Sequence, residues 1–343
     1  MPLNRDGQFT LSRAYSMIDI RGAVGTQVQA VDGARLGGAV GFWLERAGSE
    51  KRVVVGGDYR LSTPELKAAL IDGLVGAGCH VIDLGFVPTP AMYGARKHYG
   101  AAAGIQVTAS HNPPGDNGFK VQIGDLPNRD DAFRELWSLI AQGISGGGQG
   151  RVETVEYLPH YVAQLKAAFP AGGRGKVVID SGNGCCGVIA PQLLRDLGYE
   201  VVEIFSEPDG RYPNRDPDPL KPGVLTALEG CVVAEGAAFG IAYDGDGDRA
   251  AFVDDRGRSL GSDLAFVLYI RDGLREAGQR VIYDIKCSDI VADAIRAHGG
   301  VPHMEKTGHA YIKRSFVVHD AALAGEYVLG VLDIEGRLSA ERR

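Results

Sequence analysis

Residues 52–58 read Arg-Val-Val-Val-Gly-Gly-Asp, a basic residue followed by a β-branched run and then by glycines and a carboxylate. A similar order recurs at residues 176–184, Lys-Val-Val-Ile-Asp-Ser-Gly-Asn-Gly, and at residues 280–288, Arg-Val-Ile-Tyr-Asp-Ile-Lys-Cys-Ser. Short β-branched runs that end in glycine and polar residues are typical of buried strands. The repetition predicts three such strands at equivalent places in the chain.

Each run is followed by a helix-like stretch, a glycine and then a further extended segment. The helix-like stretches are residues 64–75, 191–197 and 290–298, and the extended segments include residues 79–83 and 199–203. Strands that alternate with helical patterns indicate β-α-β units, and the period is too long for a solenoid. The sequence therefore predicts an α/β protein of three successive similar domains.

The boundaries between these domains are predicted from stretches rich in glycine and turn-forming residues. Residues 143–150, Gly-Ile-Ser-Gly-Gly-Gly-Gln-Gly, are typical of a flexible linker, and residues 254–257, Asp-Asp-Arg-Gly, are typical of a turn. We expect a first domain over residues 1–150, a second over residues 151–257 and a partial third over residues 258–343.

The composition excludes several classes of partner. The chain has 343 residues, of which 45% are hydrophobic, which is enough for two or three domains of about 100–150 residues. The net charge is -7, and no cluster of lysine and arginine follows a run of aromatic residues, so nucleic-acid binding is not expected. No run of about 18 apolar residues predicts a membrane helix.

The cysteines and the N-terminal residues indicate the compartment. The five cysteines are scattered and lack the paired spacing of a zinc site or a disulfide framework, which suits a reducing environment. The first residues contain no apolar core typical of a signal peptide. We therefore expect a cytoplasmic protein.

A loop with a central serine follows one of the apolar runs. Residues 108–114, Thr-Ala-Ser-His-Asn-Pro-Pro, come after the run at residues 104–107 and contain prolines that cannot continue a strand. Ser110 is therefore expected at the carboxyl end of a strand, where α/β proteins commonly place their chemistry. Taken alone, the loop is explained as well by a polar turn that ends a strand.

A second loop carries three alternating carboxylates, Asp244, Asp246 and Asp248, separated by glycines and followed by Arg249. Apolar runs on both sides indicate that the loop lies between strands, and three unneutralised carboxylates this close would repel one another. Oxygen ligands at this density suit a hard cation, Mg²⁺ or Ca²⁺, and the loop contains no histidine or cysteine that would favour zinc.

Two known acidic motifs are alternative explanations of this loop. A calcium-binding EF-hand requires glycine at the sixth loop position, where Arg249 stands, and helices on both sides, so it is excluded. A phosphatase of the haloacid-dehalogenase type also places an Asp-x-Asp loop after an apolar strand and would use Asp244 as its nucleophile. Its loop usually opens the domain and carries threonine or valine at the place of Asp248, but this alternative stays open.

The two loops make chemical sense together if the serine carries a phosphoryl group, because phosphoryl transfer depends on positioning and on charge neutralisation. Residues 108–120, T-A-S-H-N-P-P-G-D-N-G-F-K, and residues 244–249, D-G-D-G-D-R, resemble the active-serine and metal loops of the α-D-phosphohexomutases. The resemblance is strongest to the bacterial phosphomannomutase/phosphoglucomutase branch, and matching stretches run from about residue 9 to Glu326.

The resemblance implies an activity and a role for individual residues. It implies transfer of phosphate between C1 and C6 of mannose or glucose through a 1,6-bisphosphate, with Mg²⁺ as the cofactor and hexose phosphates as the substrates. The implied catalytic residues are Ser110 as the phosphoserine, Lys120 as a general acid and base, and the neighbouring His111. The implied metal ligands are Ser110, Asp244, Asp246 and Asp248. The implied phosphate and sugar ligands are Arg21, Arg249, Lys286, His309 and Glu326.

Simpler explanations exist for three of the implied ligands, Arg21, His309 and, in the same way as His309, Lys286. Arg21 is placed in a glycine-rich loop, where it could also be a solvated turn arginine. His309 could simply cap the stretch that follows it.

The resemblance ends within a third motif. The family continues this motif as G-E-x-S-G-H, whereas here Gly325, Glu326 and Tyr327 are followed by Val-Leu-Gly. We therefore expect that part of the third domain and the whole of the family's fourth domain are missing from this sequence. A non-mutase relative that keeps only phosphoserine and Mg²⁺ chemistry, or only binding, is then an alternative function.

Overall fold

A computed structural model describes residues 19–123, 130–169, 171–274, 277–305 and 330–332. Within these residues the chain forms three sheets in succession, each packed against helices. The predicted α/β class with three successive domains is confirmed.

The first unit contains a six-stranded mixed sheet. Its elements in chain order are β1 (Asp19–Ala23), α1 (Ala30–Arg46), β2 (Arg52–Gly57), α2 (Thr63–Gly76), β3 (His80–Phe86), α3 (Thr89–His98), β4 (Ala103–Val107), β5 (Asp116–Ile123), α4 (Asp130–Ala141) and β6 (Arg151–Thr154). The strand order is β1-β5-β4-β2-β3-β6. Within this order the neighbouring strands β4, β2, β3 and β6 are parallel to one another. Strand β5 runs antiparallel to both of its neighbours, β4 and β1.

The second and third units contain smaller sheets. The second unit comprises α5 (Leu158–Ala168), β7 (Lys176–Asp180), α6 (Ala190–Asp196), β8 (Glu200–Ile204), α7 (Thr226–Glu235), β9 (Phe239–Tyr243), β10 (Ala250–Asp254) and β11 (Ser259–Leu260). The third comprises α8 (Ser262–Gly273), β12 (Arg280–Asp284), α9 (Asp289–Ala297), β13 (Val301–Glu305) and β14 (Gly330–Leu332). Their strand orders are β11-β10-β9-β7-β8 and β13-β12-β14.

The three repeated runs form equivalent strands. They are β2, β7 and β12, and each pairs in parallel with the strand that follows the next helix, namely β3, β8 and β13. On their other side, β2 and β7 pair in parallel with β4 and β9, which then turn into the antiparallel strands β5 and β10. The serine-containing and carboxylate-containing loops therefore occupy corresponding places in the first two units.

The third unit departs from this pattern at the strand that takes the place of β4 and β9. There β14 pairs antiparallel with β12 over three residues. The predicted third loop around Glu326 lies outside the described residues.

Two segments differ from the sequence-based expectation. Arg21 lies on β1 rather than in a loop, because β1 pairs with β5 over its whole length. Residues 143–150 pack against the first unit instead of forming a free linker: the Gly146 amide donates to the Gly38 carbonyl at 3.0 Å, and the Gly150 amide donates to the Val75 carbonyl at 3.0 Å. Since β6 then joins the first sheet, we propose that the first domain extends through residue 154.

One apolar core joins the first two units. Buried side chains from β3 and α3, such as Ile82 and Met92, belong to the same cluster as Ile179 and Ile241 from β7 and β9. The third unit has a separate small cluster that includes Val281 and Ile295. The loops of the first two units are therefore held by a common core.

None of the described helices is long and apolar enough to cross a membrane.

Candidate active site

The serine loop, residues 108–116, connects β4 to the first residue of β5. Ser110 is fully buried, and its backbone has a φ of 55°, in the left-handed region. Its amide donates a hydrogen bond to Thr108 Oγ1 at 2.8 Å, and Thr108 Oγ1 donates in turn to Asp58 Oδ2 at 2.7 Å. The serine is therefore held in an uncommon backbone conformation by a buried hydrogen-bond network.

The carboxylate loop, residues 244–249, connects β9 to β10 and meets the serine loop. Ser110 Oγ donates a hydrogen bond to Asp244 Oδ2 at 2.9 Å. A Cβ atom on Gly245 would lie 2.7 Å from the Ser110 carbonyl oxygen, so this position requires glycine. The two loops are thus in direct contact.

The three carboxylates of this loop could hold a metal ion. Asp244, Asp246 and Asp248 are buried, and one ligand oxygen from each lies within 4.8 Å of the others. Asp246 Oδ1 is buried and accepts no hydrogen bond from the described residues. An all-oxygen set with an available carboxylate oxygen fits a hard divalent cation.

The proximity of the carboxylates changes their ionisation. Burial, followed by repulsion from Asp246 and Asp248, raises the pKa of Asp244 well above its usual range. Burial opposes ionisation of Asp246 as well, but Lys120 and a hydrogen bond from Thr89 hold its pKa below the usual range. Such divergence among neighbouring acids is typical of functional sites.

Basic side chains surround the triad. Lys120 projects from β5, and its Nζ forms ion pairs with Asp246 Oδ2, at 2.8 Å, and with Asp248. Arg249 donates its amide to Asp244 Oδ1 at 3.1 Å, and its Nε lies 3.9 Å from Asp248 Oδ1. Arg21 pairs with Asp19 on β1 at 2.7 Å.

His111 lies next to the serine, and its surroundings disfavour the protonated form of its imidazole. Its Nδ1 is 3.4 Å from Ser110 Oγ. Burial, followed by the charges of Arg249 and Arg21, lowers the pKa of His111 to about 3. The imidazole is therefore neutral near pH 7, so it can exchange a hydrogen bond with the serine hydroxyl but does not add positive charge.

The remaining predicted ligands belong to the third unit. Lys286 follows β12, is exposed, and places its Nζ 3.5 Å from Asp284 Oδ2. Among the described residues it makes no hydrogen bond or ion pair with either loop. His309 and Glu326 lie outside the described residues.

Several residues at the site were not predicted from their own sequence motifs. The Thr89 hydroxyl, at the first residue of α3, donates to Asp246 Oδ2, and its amide donates to the Asp246 carbonyl at 2.9 Å. Arg60 holds the serine loop, and Arg215 donates to the Tyr243 carbonyl at 2.7 Å, just before the carboxylate loop. A Thr-Pro pair at a helix start and an arginine two residues after the aspartate that follows β2 were the available signals.

Family comparisons agree with the three-unit fold. The chain matches three domain families, described as "Phosphoglucomutase/phosphomannomutase, alpha/beta/alpha domain" I, II and III. The matched residues are 15–143, 156–257 and 262–334, in that order.

Individual proteins show the same similarity. The chain is 41% identical over 318 residues to a phosphomannomutase/phosphoglucomutase of Pseudomonas aeruginosa, covering 92% of this chain and 68% of the relative. It is 36% identical over 319 residues to a phosphoglucomutase of Neisseria meningitidis, covering 91% of this chain and 68% of that protein. A solved phosphoglucomutase/phosphomannomutase family protein from Burkholderia thailandensis has a TM-score of 0.85 at 36% identity, covering 95% of this chain and 73% of that one.

Proposed function

Because this chain belongs to the phosphoglucomutase/phosphomannomutase family, we propose that it is a phosphohexomutase that interconverts hexose 1-phosphate and hexose 6-phosphate. The observation that carries the proposal is the hydrogen bond from Ser110 Oγ to Asp244 Oδ2, which joins the candidate phosphate carrier to the carboxylate triad. The substrates are mannose and glucose phosphates. Neither the haloacid-dehalogenase-type phosphatase nor the non-mutase relative is favoured by the comparisons.

In the first step, phosphate passes from Ser110 to the sugar. The bond between phosphorus and Ser110 Oγ breaks, and a bond forms between phosphorus and O6 of hexose 1-phosphate. The proton of the O6 hydroxyl leaves, and a proton is returned to Ser110 Oγ, so neither water nor another reactant is consumed. We assign this proton movement to Lys120, whose Nζ lies at the triad from the β5 side.

In the second step, the bound 1,6-bisphosphate presents its other phosphate to the serine. The bond between phosphorus and O1 breaks, a bond forms to Ser110 Oγ, and the serine proton passes to O1. The product is hexose 6-phosphate, and the serine is phosphorylated again. Arg249 and Arg21 are assigned to neutralise the phosphate oxygens, together with Lys286, His309 and Glu326 from the third unit, and the neutral His111 to orient the serine.

The proposed cofactor is Mg²⁺, held by Asp244, Asp246, Asp248 and the Ser110 oxygen. When bound, Mg²⁺ supplies positive charge that stabilises the transferring phosphoryl group. The five cysteines are free thiols, as a reducing compartment allows, and we propose that the protein acts in the cytoplasm.

The proposal is tested by incubating the full chain with Mg²⁺, glucose 1-phosphate or mannose 1-phosphate, and a hexose 1,6-bisphosphate activator. Phosphorus NMR should show the 6-phosphate appearing, and mass spectrometry should find the phosphate on Ser110. Ser110→Ala should abolish both signals while keeping the wild-type melting temperature. No 6-phosphate product from either sugar would overturn the mutase proposal.

A second measurement separates the nucleophiles. If the phosphate were found on Asp244 and survived in Ser110→Ala, the reaction would be that of an aspartate-dependent phosphatase. Inorganic phosphate release from hexose 1-phosphate would then accompany it, whereas a mutase releases none.

A further inference from the structure

Arg60 is a charged side chain with an unusual environment, being 1% exposed. All five N–H groups of its guanidinium donate hydrogen bonds. Nε donates to Asp58 Oδ2 at 3.1 Å, and the two Nη atoms donate to the carbonyl oxygens of Ser110, Asn112, Pro113 and Asp116 at 2.6–2.8 Å. Four carbonyls of the serine loop thus converge on one cation.

The loop has hydrogen bonds of its own, from the Asn112 amide to the Ala109 carbonyl and from the Asp116 amide to the Pro113 carbonyl, both at 3.0 Å, but these join residues only three apart, whereas Arg60 gathers carbonyls from the whole loop. Pro113 and Pro114 have no backbone N–H, and Ser110 occupies a left-handed conformation that residues with a Cβ atom avoid. The carbonyl oxygen of Ser110 is fixed by Arg60 at 2.8 Å, while its hydroxyl points to Asp244 at 2.9 Å. The direction of the reacting oxygen therefore depends on where the guanidinium stands.

The guanidinium is itself fixed from both units. Asp58 also accepts a hydrogen bond from the Arg60 amide at 3.1 Å. The ring of Tyr212, from the second unit, lies 5.3 Å from the Arg60 guanidinium carbon. A Cβ atom on Gly210 would lie 2.2 Å from the Tyr59 carbonyl oxygen, so the second unit also meets the backbone beside Arg60.

Resting on the proposed phosphohexomutase function, we propose that Arg60 is a positioning residue for phosphoryl transfer. It holds the serine loop so that Ser110 Oγ faces the carboxylate triad, and it does so without touching the substrate. Lysine cannot replace it, because a single ammonium nitrogen with three donors cannot reach four carbonyls spread along the loop.

The second unit offers a matched control. Arg215 is also buried and paired with an aspartate, with its Nε 2.9 Å from both carboxylate oxygens of Asp180. Its other hydrogen bonds go to the carbonyls of Asp180, Tyr243 and Asp216, none of which is in the serine loop. Substituting Arg215 therefore removes the same kind of buried ion pair and leaves the serine loop's contacts in place.

The test compares Arg60→Met, Arg60→Lys and Arg215→Met in the full chain. Hydrogen exchange of the peptide that covers residues 108–116 should accelerate in both Arg60 variants and stay at the wild-type rate in Arg215→Met. The rate at which Ser110 takes phosphate from glucose 1,6-bisphosphate should fall about 100-fold in Arg60→Met, since a displacement of about 1 Å at a reacting atom costs that much. The kcat of the mutase reaction should fall with it, while KM stays near that of the wild type.

Wild-type exchange over residues 108–116 in a folded Arg60→Lys variant would overturn the inference, as would a wild-type phosphorylation rate. Arg60→Lys also serves as the readout if Arg60→Met does not fold. If the wild-type protein takes no phosphate on Ser110, the proposed function fails, and the exchange experiment still decides whether Arg60 positions the loop.

Discussion

Thr89→Val should weaken Mg²⁺ binding without changing any of the three carboxylates. The substitution keeps the size and branching of the side chain but removes the hydroxyl that donates to Asp246 Oδ2. The bond from the Thr89 amide to the Asp246 carbonyl, at 2.9 Å, is retained, so the loop stays attached to α3. The variant therefore isolates one hydrogen bond to a proposed metal ligand.

The expected size of the effect follows from that bond. A buried hydrogen bond to a charged group contributes about 1.5–3 kcal/mol, which converts to about 10–100-fold in an equilibrium constant. Substitutions of residues that orient metal ligands reduce metal affinity by a similar factor, about 10–100-fold. At a Mg²⁺ concentration that saturates the wild type, the stabilisation of the folded state by the ion should shrink by about 1.4–2.7 kcal/mol.

Isothermal titration with Mg²⁺ and thermal unfolding with and without the ion measure this effect. Thr226→Val is the control, because Thr226 is also the first residue of a helix and its hydroxyl donates a hydrogen bond, to the Gly223 carbonyl at 2.9 Å, while neither residue belongs to the two loops or to the contacts of Arg60. Both variants should lose stability without Mg²⁺, but only Thr89→Val should lose Mg²⁺ affinity. Equal Mg²⁺ affinities in the two folded variants would refute the reasoning.

Three further outcomes are expected. Gly118→Ala should lower the melting temperature because its Cβ would lie 1.8 Å from a carbonyl oxygen of β1, whereas Gly115→Ala, with nothing within 4 Å, should leave it unchanged; a shared melting temperature would contradict this. Ile241→Ala should lower the free energy of unfolding by about 2–5 kcal/mol and lower the temperature of a single calorimetric transition shared by the first two units. Ile295→Ala should change only the transition of the third unit. Separate transitions for the first and second units would disprove a joint core. Cys79 is fully buried, and burial raises its pKa to about 11, so at pH 8 iodoacetamide should modify it at least about 100-fold more slowly in folded protein than in urea; equal rates by mass spectrometry would contradict this.

The three-unit fold was predictable because each central strand has a local signature. The β-branched runs at β2, β7 and β12 are largely buried, and burial in the middle of a sheet selects such residues. The serine and carboxylate loops were predictable for a related reason. Prolines in the serine loop and alternating glycines in the carboxylate loop end the apolar strands β4 and β9. Polar side chains that follow the ends of such strands lie at one edge of the sheet, where they can contact one another.

The contacts that hold the site together could not be predicted in this way. Arg60 binds backbone carbonyls some fifty residues further along the chain, with separations of 50, 52, 53 and 56 residues. Carbonyls are present at every residue, so the arginine's partners leave no mark in the sequence. Arg21 was expected in a loop for a similar reason: β1 becomes a strand through pairing with β5, and its own residues, which include a glycine, do not dictate it.

The common core of the first two units also escaped sequence analysis. Apolar residues on β3 and α3 satisfy the pattern of any buried element, and the pattern does not say which unit will cover them. The structure places them against residues of the second unit. Domain boundaries drawn from turn-rich segments therefore divide one folding core into two parts.

This core has a consequence during synthesis of the chain. The apolar face of α3 is complete when Ala95 has been added, but Ile241, which belongs to the same cluster, follows 146 residues later. At the usual elongation rates of about 5–20 residues per second, the cluster stays incomplete for roughly 7–30 s, although α5 reaches α3 earlier. A nascent first unit therefore exposes an aggregation-prone surface on the ribosome, and both the hydroxyl and the carboxylates of the site come together only after this interval has passed.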